Sequence, residues 1–133
     1  MRLMRSAALV TAAVAAATLG LGAQAAQASS NSGWVYTANN SGAVYFDADL
    51  NGYPGLEKIT VCDNKSDGRG IEAVVTGYDG DGQISYVLDD PSNDGHCASA
   101  SGNFFLEDTS VSIVVYEYWG SSTANYGYGS AVA

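Results

Sequence analysis

Apolar and polar residues alternate along much of the chain after residue 33, and no stretch there keeps a sustained 3.6-residue apolar period. Runs of β-branched and aromatic residues recur between clusters of Gly, Asn, Asp and Ser, which are residues that turns favour. The pattern predicts strands near residues 34–37, 43–46, 57–62, 71–78, 83–88, 103–106 and 111–119. Seven short strands with frequent turn signals predict an all-β domain, an antiparallel sandwich or barrel, and we expect the sandwich.

The run "VSIVVYEYW" (residues 111–119) shows the alternation most clearly. Val111, Ile113 and Val115 share one side of the predicted strand, because successive side chains point to opposite sides. Tyr116 and Tyr118 share the other side, which predicts an aromatic surface opposite the core. The sequence therefore predicts a binding face formed by Tyr116, Tyr118 and Trp119, for a polysaccharide or another protein. The alternative is that tyrosine, a favoured strand residue, only covers the edge of the core.

Two further segments are read from their turn residues. "TGYDGDGQISY" predicts a tight hairpin, because Asp79, Gly80, Asp81 and Gly82 suit the positive φ angles of such turns. The last segment, residues 120–133, has no charged side chain and is rich in Gly, Ser and Tyr. We expect it to be either a loose final strand or a mobile end.

The N-terminal segment has the pattern of a secretory signal peptide, with Arg2 and Arg5 ahead of an apolar run at residues 7–23. Cleavage is expected after Ala28, with Ala25 as the alternative, which leaves one mature domain at residues 29–133. A membrane anchor is disfavoured because the Ala-rich run barely spans roughly 30 Å and no basic cluster follows it. We therefore expect a secreted protein with no membrane association after cleavage.

The two cysteines of the chain, Cys62 and Cys97, predict one disulfide, because an even count in a small exported domain favours pairing. Closing a loop of this length is expected to stabilise the fold by about 3–4 kcal/mol. A zinc site is the alternative, but only His96 adjoins a cysteine, and a structural zinc requires four ligands.

The charge balance is strongly acidic, with 14 Asp and Glu against 5 Lys and Arg and a formal net charge of −9. Removing the signal peptide would also remove Arg2 and Arg5 and make the balance more negative. Such a chain is repelled by nucleic acid and by anionic membranes, so neither is an expected partner.

The stretch "FDADLNGYPGLEKI" (residues 46–59) resembles the first half of a calcium loop. Oxygen ligands at alternate positions, with a Gly for the turn, are what such loops supply. The candidate ligands are Asp47, Asp49, Asn51, Tyr53 and Glu57. The twelfth position holds Lys58 instead of a glutamate, so the sequence favours an ordinary Asp/Asn/Gly turn, with a calcium site as the alternative. No cofactor other than calcium is expected.

No catalytic constellation is apparent. His96 is the only histidine, and no Gly-x-Ser-x-Gly motif, phosphate loop or zinc-protease helix is present. The sequence therefore favours a non-catalytic protein. The alternatives are a hydrolase that uses His96, or a protease inhibitor that presents the loop at residues 89–97.

The segment "ITVCDNKSDGRG", with a second Cys some 35 residues on and a signal peptide ahead, resembles small secreted proteins of streptomycetes and related actinobacteria. That resemblance implies a compact disulfide-linked β fold and no particular activity. Tyr45, Leu50 and Gly52 are also spaced as in βγ-crystallin-type domains, although Leu50 replaces an aromatic residue and the paired calcium motif is missing. We expect a binding or cell-surface protein, with a calcium-stabilised βγ-crystallin-like domain as the alternative.

Overall fold

The structure is a computed structural model that describes residues 28–133, and it is an antiparallel β-sandwich. Its strands are β1 (Trp34–Tyr36), β2 (Gly42–Asp47), β3 (Glu57–Asp63), β4 (Gly70–Tyr78), β5 (Gln83–Asp90), β6 (Ala98–Gly102), β7 (Ser110–Trp119) and β8 (Ser122–Val132). The first sheet has the order β1-β2-β3-β6 and the second sheet has the order β5-β4-β7-β8. The predicted all-β sandwich is confirmed, with eight strands instead of seven.

The predicted signal peptide, apart from Ala28, lies outside the described residues. Within residues 28–133 we find no helix with the length and apolar character needed to cross a membrane.

The core lies between the two sheets and follows the alternation seen in the sequence. Its fully buried aliphatic and aromatic side chains are Val44, Phe46, Ile59 and Val61 from the first sheet and Ile71, Ala73, Val75, Val111, Ile113 and Val115 from the second. The prediction that Val111, Ile113 and Val115 share the core side of their strand is therefore confirmed.

The predicted strand at residues 103–106 is wrong. The strand in this region is β6, which precedes it and pairs with β3 so that Ala98 lies opposite Val61. The sequence "ASASG" has small side chains with no apolar pattern, so tertiary context places it in the sheet. Phe105 of the mispredicted segment lies in the connection to β7, where it is buried with its ring centroid 5.9 Å from that of Phe46.

The predicted disulfide between Cys62 and Cys97 is confirmed, with the two Cα atoms 4.4 Å apart. It joins β3 to the residue before β6. Because the bond fixes Cys97 beside β3, it holds the weakly patterned β6 in register with its neighbour.

The C-terminal segment, which was expected to be a loose strand or a mobile end, forms β8, the longest strand of the fold. It pairs with β7 and has a register shift between Val115 and Glu117. Gly127 allows β8 to lie close to β1, because a Cβ at this residue would be 1.9 Å from the carbonyl oxygen of Tyr36. The absence of a side chain at Gly127 therefore lets β8 pack directly under β1.

Candidate functional site

The outer side of the second sheet carries three cross-strand rows of side chains, set by the registers of β5, β4, β7 and β8. In β5-to-β8 order, the rows are Asp89, Glu72, Tyr116 and Tyr126; then Val87, Val74, Val114 and Tyr128; then Ser85, Thr76, Ser112 and Ser130. We call these twelve residues, together with Tyr118, the tyrosine face. Since strand neighbours alternate, all of them point away from the core.

Three tyrosines form a continuous aromatic surface on this face. The ring centroids of Tyr116 and Tyr126 are 5.0 Å apart, and those of Tyr126 and Tyr128 are 6.4 Å apart with planes only 15° from parallel. Tyr128 is 73% exposed and Tyr126 is 40% exposed. Tyr126 also shares a hydrogen bond of 2.6 Å between its hydroxyl and that of Thr123. Large aromatic area is thus held in place while it remains open to solvent.

Two carboxylates lie beside these rings. Glu72 on β4 is directly opposite Asp89 on β5. The Tyr116 hydroxyl donates a hydrogen bond to Glu72, and the Tyr118 hydroxyl donates one of 3.0 Å to Asp89. Burial and these hydrogen bonds to carboxylates raise the pKa of both tyrosines to about 12. The two hydroxyls therefore remain protonated donors at neutral pH.

Gly70 explains how Tyr118 reaches across a strand. Tyr118 is paired with Gly70, and a Cβ at that glycine would lie 2.5 Å from the tyrosine ring. Because there is no side chain on Gly70, the ring can lie over β4 and bring its hydroxyl to Asp89 on β5. Tyr118 therefore covers the end of the tyrosine face next to the two carboxylates.

The opposite end of the face is lined by hydroxyl groups. Thr76 and Ser85 share a hydrogen bond of 2.7 Å between their hydroxyls. Thr76, Ser112 and Ser130 line a cavity of about 340 Å³. A second cavity, of about 360 Å³, lies elsewhere in the fold, and none of these residues lines it. The face thus offers aromatic rings, carboxylates and hydroxyls along a single open surface.

Trp119, which was predicted to join the binding face, lies on the other side of β7 from Tyr118. The guanidinium of Arg69 lies 4.0 Å from the centroid of its ring. The prediction placed consecutive residues on one face, but in a strand two neighbouring side chains point in opposite directions.

Arg69 also pairs with Glu117, whose side chain is fully buried on the core side of β7. The carboxylate accepts hydrogen bonds from Arg69 (2.8 Å), Asn39 (2.9 Å) and Asn125 (2.6 Å). Burial alone would raise the pKa of Glu117, but hydrogen bonds from Asn39, Ser41, Asn125 and Arg69 lower it to about 2. The group is therefore ionised in the folded protein and ties β7 and β8 to the loops after β1 and β3.

The residues of the predicted calcium loop occupy different settings. Asp49 accepts a hydrogen bond from Ser29, Asn51 has the left-handed φ of 58°, and Tyr53 is 64% exposed. No three Asp, Glu, His or Cys side chains within residues 28–133 are grouped so that they could hold a metal ion. Calcium binding at Asp47, Asp49, Asn51, Tyr53 and Glu57 stays a prediction.

Glu57, the last of those residues, points into the core from β3 and is fully buried. Its Oε2 accepts a hydrogen bond of 2.7 Å from the backbone N–H of Phe104, while its Oε1 has no partner. Burial raises the pKa of the Glu57 carboxyl, and the charge of Glu107 contributes in the same direction. Glu57 therefore anchors the connection that contains Phe104 and Phe105.

His96 lies in an exposed loop, with Nδ1 3.7 Å from a carboxylate oxygen of Asp94 and 87% of its side chain exposed. Within residues 28–133, no hydrogen bond joins the side chain of His96 to a serine. Cys62 and Cys97 are bonded to each other, so they are not available as zinc ligands. The hydrolase alternative therefore gains no support from the geometry around His96, and the inhibitor alternative, which concerns the loop at residues 89–97, stays a prediction.

A second exposed aromatic cluster lies on the outer side of the first sheet. The rings of Trp34 and Tyr45 are 5.3 Å apart, and Trp34 and Tyr36 are each about half exposed. Part of the cluster belongs to β1, a three-residue edge strand. The registers place further polar side chains on the same side of the sheet: Asp47, Lys58, Thr60, Ser99 and Ser101. The carboxylate on this side, Asp47, lies opposite Lys58, whereas the tyrosine face places two carboxylates opposite each other.

Sequence reasoning found Tyr116 and Tyr118 but missed four central residues of the face: Glu72, Asp89, Tyr126 and Tyr128. The segment "NYGYGS" did contain a signal, because its tyrosines and glycines alternate with a period of two. That alternation predicts a strand with an aromatic side and a side without side chains. Pairing of Glu72 with Asp89 depends on the hairpin register.

Comparison of the chain with protein-family models, with curated proteins and with solved structures finds no match. The resemblances to small secreted actinobacterial proteins and to βγ-crystallin-type domains therefore stay predictions.

Proposed function

We propose that this protein is a secreted, non-catalytic binding domain whose tyrosine face binds a polysaccharide. The observation that carries the proposal is the continuous aromatic surface formed by the exposed Tyr126 and Tyr128 and the half-buried Tyr116. Soluble proteins keep large apolar groups together on their surface mainly where something binds. The proposal gives a use to the face that combines neighbouring tyrosine rings with two adjacent carboxylates and a row of hydroxyls.

The chemistry of the face suits a sugar polymer. Aromatic rings combine a large apolar surface with a defined geometry, and the C–H side of a sugar ring can pack against them. Hydroxyls of the sugar can exchange hydrogen bonds with the row that contains Thr76, Ser112 and Ser130. An open sheet surface is also the shape that accepts an extended chain, whereas small-molecule sites are enclosed clefts.

Secretion is the second part of the proposal. It is supported by the signal-peptide pattern at residues 1–28 and by the disulfide between Cys62 and Cys97, since disulfides persist in oxidising compartments. A secreted domain of this size encounters polysaccharides of cell walls and of the surrounding medium. Recovery of the processed protein from culture medium, with its N-terminus at Ser29, is the expected result.

Binding is tested with insoluble polysaccharides as bait and the purified mature domain in solution. The double substitution Tyr126→Ala and Tyr128→Ala is expected to weaken retention about tenfold or more, since each aromatic contact contributes about 0.5–1.5 kcal/mol. Tyr36→Ala is the matched control, because Tyr36 is 49% exposed but lies on β1 of the first sheet, outside the face. Equal loss in the control, or retention that survives the double substitution, would reject the tyrosine face as the binding site.

Calcium binding by the loop at residues 47–57 is a second candidate role, and one observation favours it. Oδ1 of Asp49 is buried and has no hydrogen-bond partner, as expected of a ligand oxygen. Melting of the mature domain with calcium and with chelator tests this role: saturating calcium should raise the Tm of the wild type but not of Asp47→Ala, Asp49→Ala. Identical melting curves would leave this loop as a turn.

A further inference from the structure

The carboxylates of the tyrosine face have no cationic partner. Glu72 and Asp89 lie directly opposite each other on β4 and β5, an arrangement in which like charges repel. The three ion pairs within residues 28–133 are Lys65–Asp67, Arg69–Glu117 and His96–Asp94, and all of them lie elsewhere. The fold thus places two negative charges side by side on an aromatic surface and leaves them uncompensated.

The neighbouring tyrosines stabilise these charges without cancelling them. Each carboxylate accepts one hydrogen bond from a neutral hydroxyl, Tyr116 in one case and Tyr118 in the other. The register also places Asp90 next to this pair at the end of β5, and none of the three ion pairs of the described residues neutralises these carboxylates. A ligand with positive charge therefore gains from contact here.

We infer that the polysaccharide bound on the tyrosine face is one with free amino groups, whose ammonium groups pair with Glu72 and Asp89 while its sugar rings pack on Tyr116, Tyr126 and Tyr128. This inference rests on the proposed function. Ammonium groups are also attracted to the faces of tyrosine rings, so each positive charge has two kinds of partner on this surface. The excess of acidic residues over the whole chain favours the same ligand and disfavours an anionic one.

Other cationic occupants fit the face less well. A metal ion requires several converging oxygen ligands, and on this face only two carboxylates, Glu72 and Asp89, lie next to each other. A basic peptide could pair with Glu72 and Asp89 and could also use its backbone groups on the hydroxyl row, so polylysine is included in the test as the competing ligand. A polymer that carries both hydroxyls and amines uses all three rows.

The matched ligand pair for the test is chitosan and chitin, which share one sugar backbone and differ in whether the amine is free or acetylated. Depletion isotherms with the mature domain should show binding to chitosan about tenfold tighter than binding to chitin at low salt. The difference should shrink as salt rises from about 0.01 M to 1 M, over which the Debye length falls from about 30 Å to 3 Å.

The matched protein pair is Glu72→Gln, Asp89→Asn against Asp81→Asn, Asp108→Asn. Both double variants lose two negative charges, but Asp81 and Asp108 lie in turns at the far end of the sheet. The face variant should lose most of the roughly tenfold preference for chitosan, since two exposed ion pairs together contribute about 2- to 30-fold. The control should keep it, and unchanged melting of both variants shows that they are folded.

Three outcomes would overturn the inference. Equal, tyrosine-dependent binding to chitin and chitosan would overturn it and leave the proposed function standing. If binding to neither polymer depends on Tyr126 and Tyr128, both the inference and the proposed function are overturned. Tighter face-dependent binding to polylysine than to chitosan would assign the charges to a basic peptide.

Discussion

The carboxylates on the two sides of the second sheet differ in whether they have a cationic partner. On the inner side, Glu117 is fully buried and is matched by a guanidinium and two amides. On the outer side, Glu72 and Asp89 face each other with only tyrosine hydroxyls as donors. The same sheet therefore carries one carboxylate with a guanidinium and two amides as partners and two carboxylates without a cationic partner.

The difference follows from where water can reach. A buried charge without partners is very costly, so the fold must surround Glu117 with donors. Exposed carboxylates are solvated, so the fold can tolerate Glu72 and Asp89 without a cation. We conclude that the inner charge serves stability and that the outer charges are free to serve binding.

The largest expected effect is the loss of the inner carboxylate. Glu117→Ala should lower the free energy of unfolding by about 3–5 kcal/mol, because Arg69, Asn39 and Asn125 lose their common acceptor. Urea denaturation measures the change. Glu72→Gln is the matched control from the outer side and should change stability by less than about 1 kcal/mol. Similar losses in both variants would remove the distinction between the two sides.

Acid should reveal the same inner charge without mutation. Because the pKa of Glu117 is lowered from its ordinary value of 4.5 to about 2 in the folded state, its contribution is fully present above pH 4.5. It should be lost as the pH falls towards 2, at a total cost of about 3 kcal/mol. Denaturation at a series of pH values measures the slope, which Glu117→Gln should flatten. An unchanged slope in that variant would show that other groups govern acid unfolding.

The buried carboxylate of Glu57, which has one oxygen without a hydrogen-bond partner, should show a pH dependence of stability opposite to that of Glu117. The folded pKa of Glu57 is raised, so the folded state loses stability as the pH rises from 4.5 through that pKa. Glu57→Gln keeps an acceptor for the N–H of Phe104 and removes the charge. It should stabilise the domain at neutral pH by on the order of 1 kcal/mol. A lower Tm for the variant at neutral pH, but not at pH 4, would contradict this account.

The smallest expected change in stability comes from the outer side. Gly70→Ala should displace the Tyr118 ring, since the new Cβ would lie 2.5 Å from it, and the flexible side chain can move away. Stability should change by less than about 1 kcal/mol. The pKa of Tyr118 should fall from about 12 towards its ordinary value of 10 as the contact with Asp89 is lost. Ultraviolet titration of phenolate measures it, with Tyr118→Phe identifying the signal, and an unshifted titration would show that Gly70 does not position the ring.

Local patterns were sufficient for much of the fold. Alternation in "VSIVVYEYW" correctly separated Val111, Ile113 and Val115 from Tyr116 and Tyr118, because a strand has a strict period of two. The disulfide was predictable from cysteine count. The position of β6 was not, because its small residues have no apolar pattern and its pairing depends on a bond to β3, distant in the chain.

The candidate site was only half predictable for a similar reason. Tyr126 meets Tyr116 across an irregular register between β7 and β8, and Glu72 meets Asp89 across a hairpin. Which residues become cross-strand neighbours depends on tertiary structure, so these contacts cannot be predicted from the turns and strands alone. The prediction that Trp119 joins Tyr118 on one face was wrong, because successive side chains of a strand point in opposite directions.

The most direct test of the tyrosine face is an NMR titration of ¹⁵N-labelled mature domain with a soluble glucosamine oligosaccharide. The account predicts that the amide signals that shift will cluster on β4, β5, β7 and β8, around Glu72, Asp89, Tyr116, Tyr126 and Tyr128. Shifts that cluster instead around Trp34 and Tyr45 on the first sheet, or no shifts with any oligosaccharide, would contradict it.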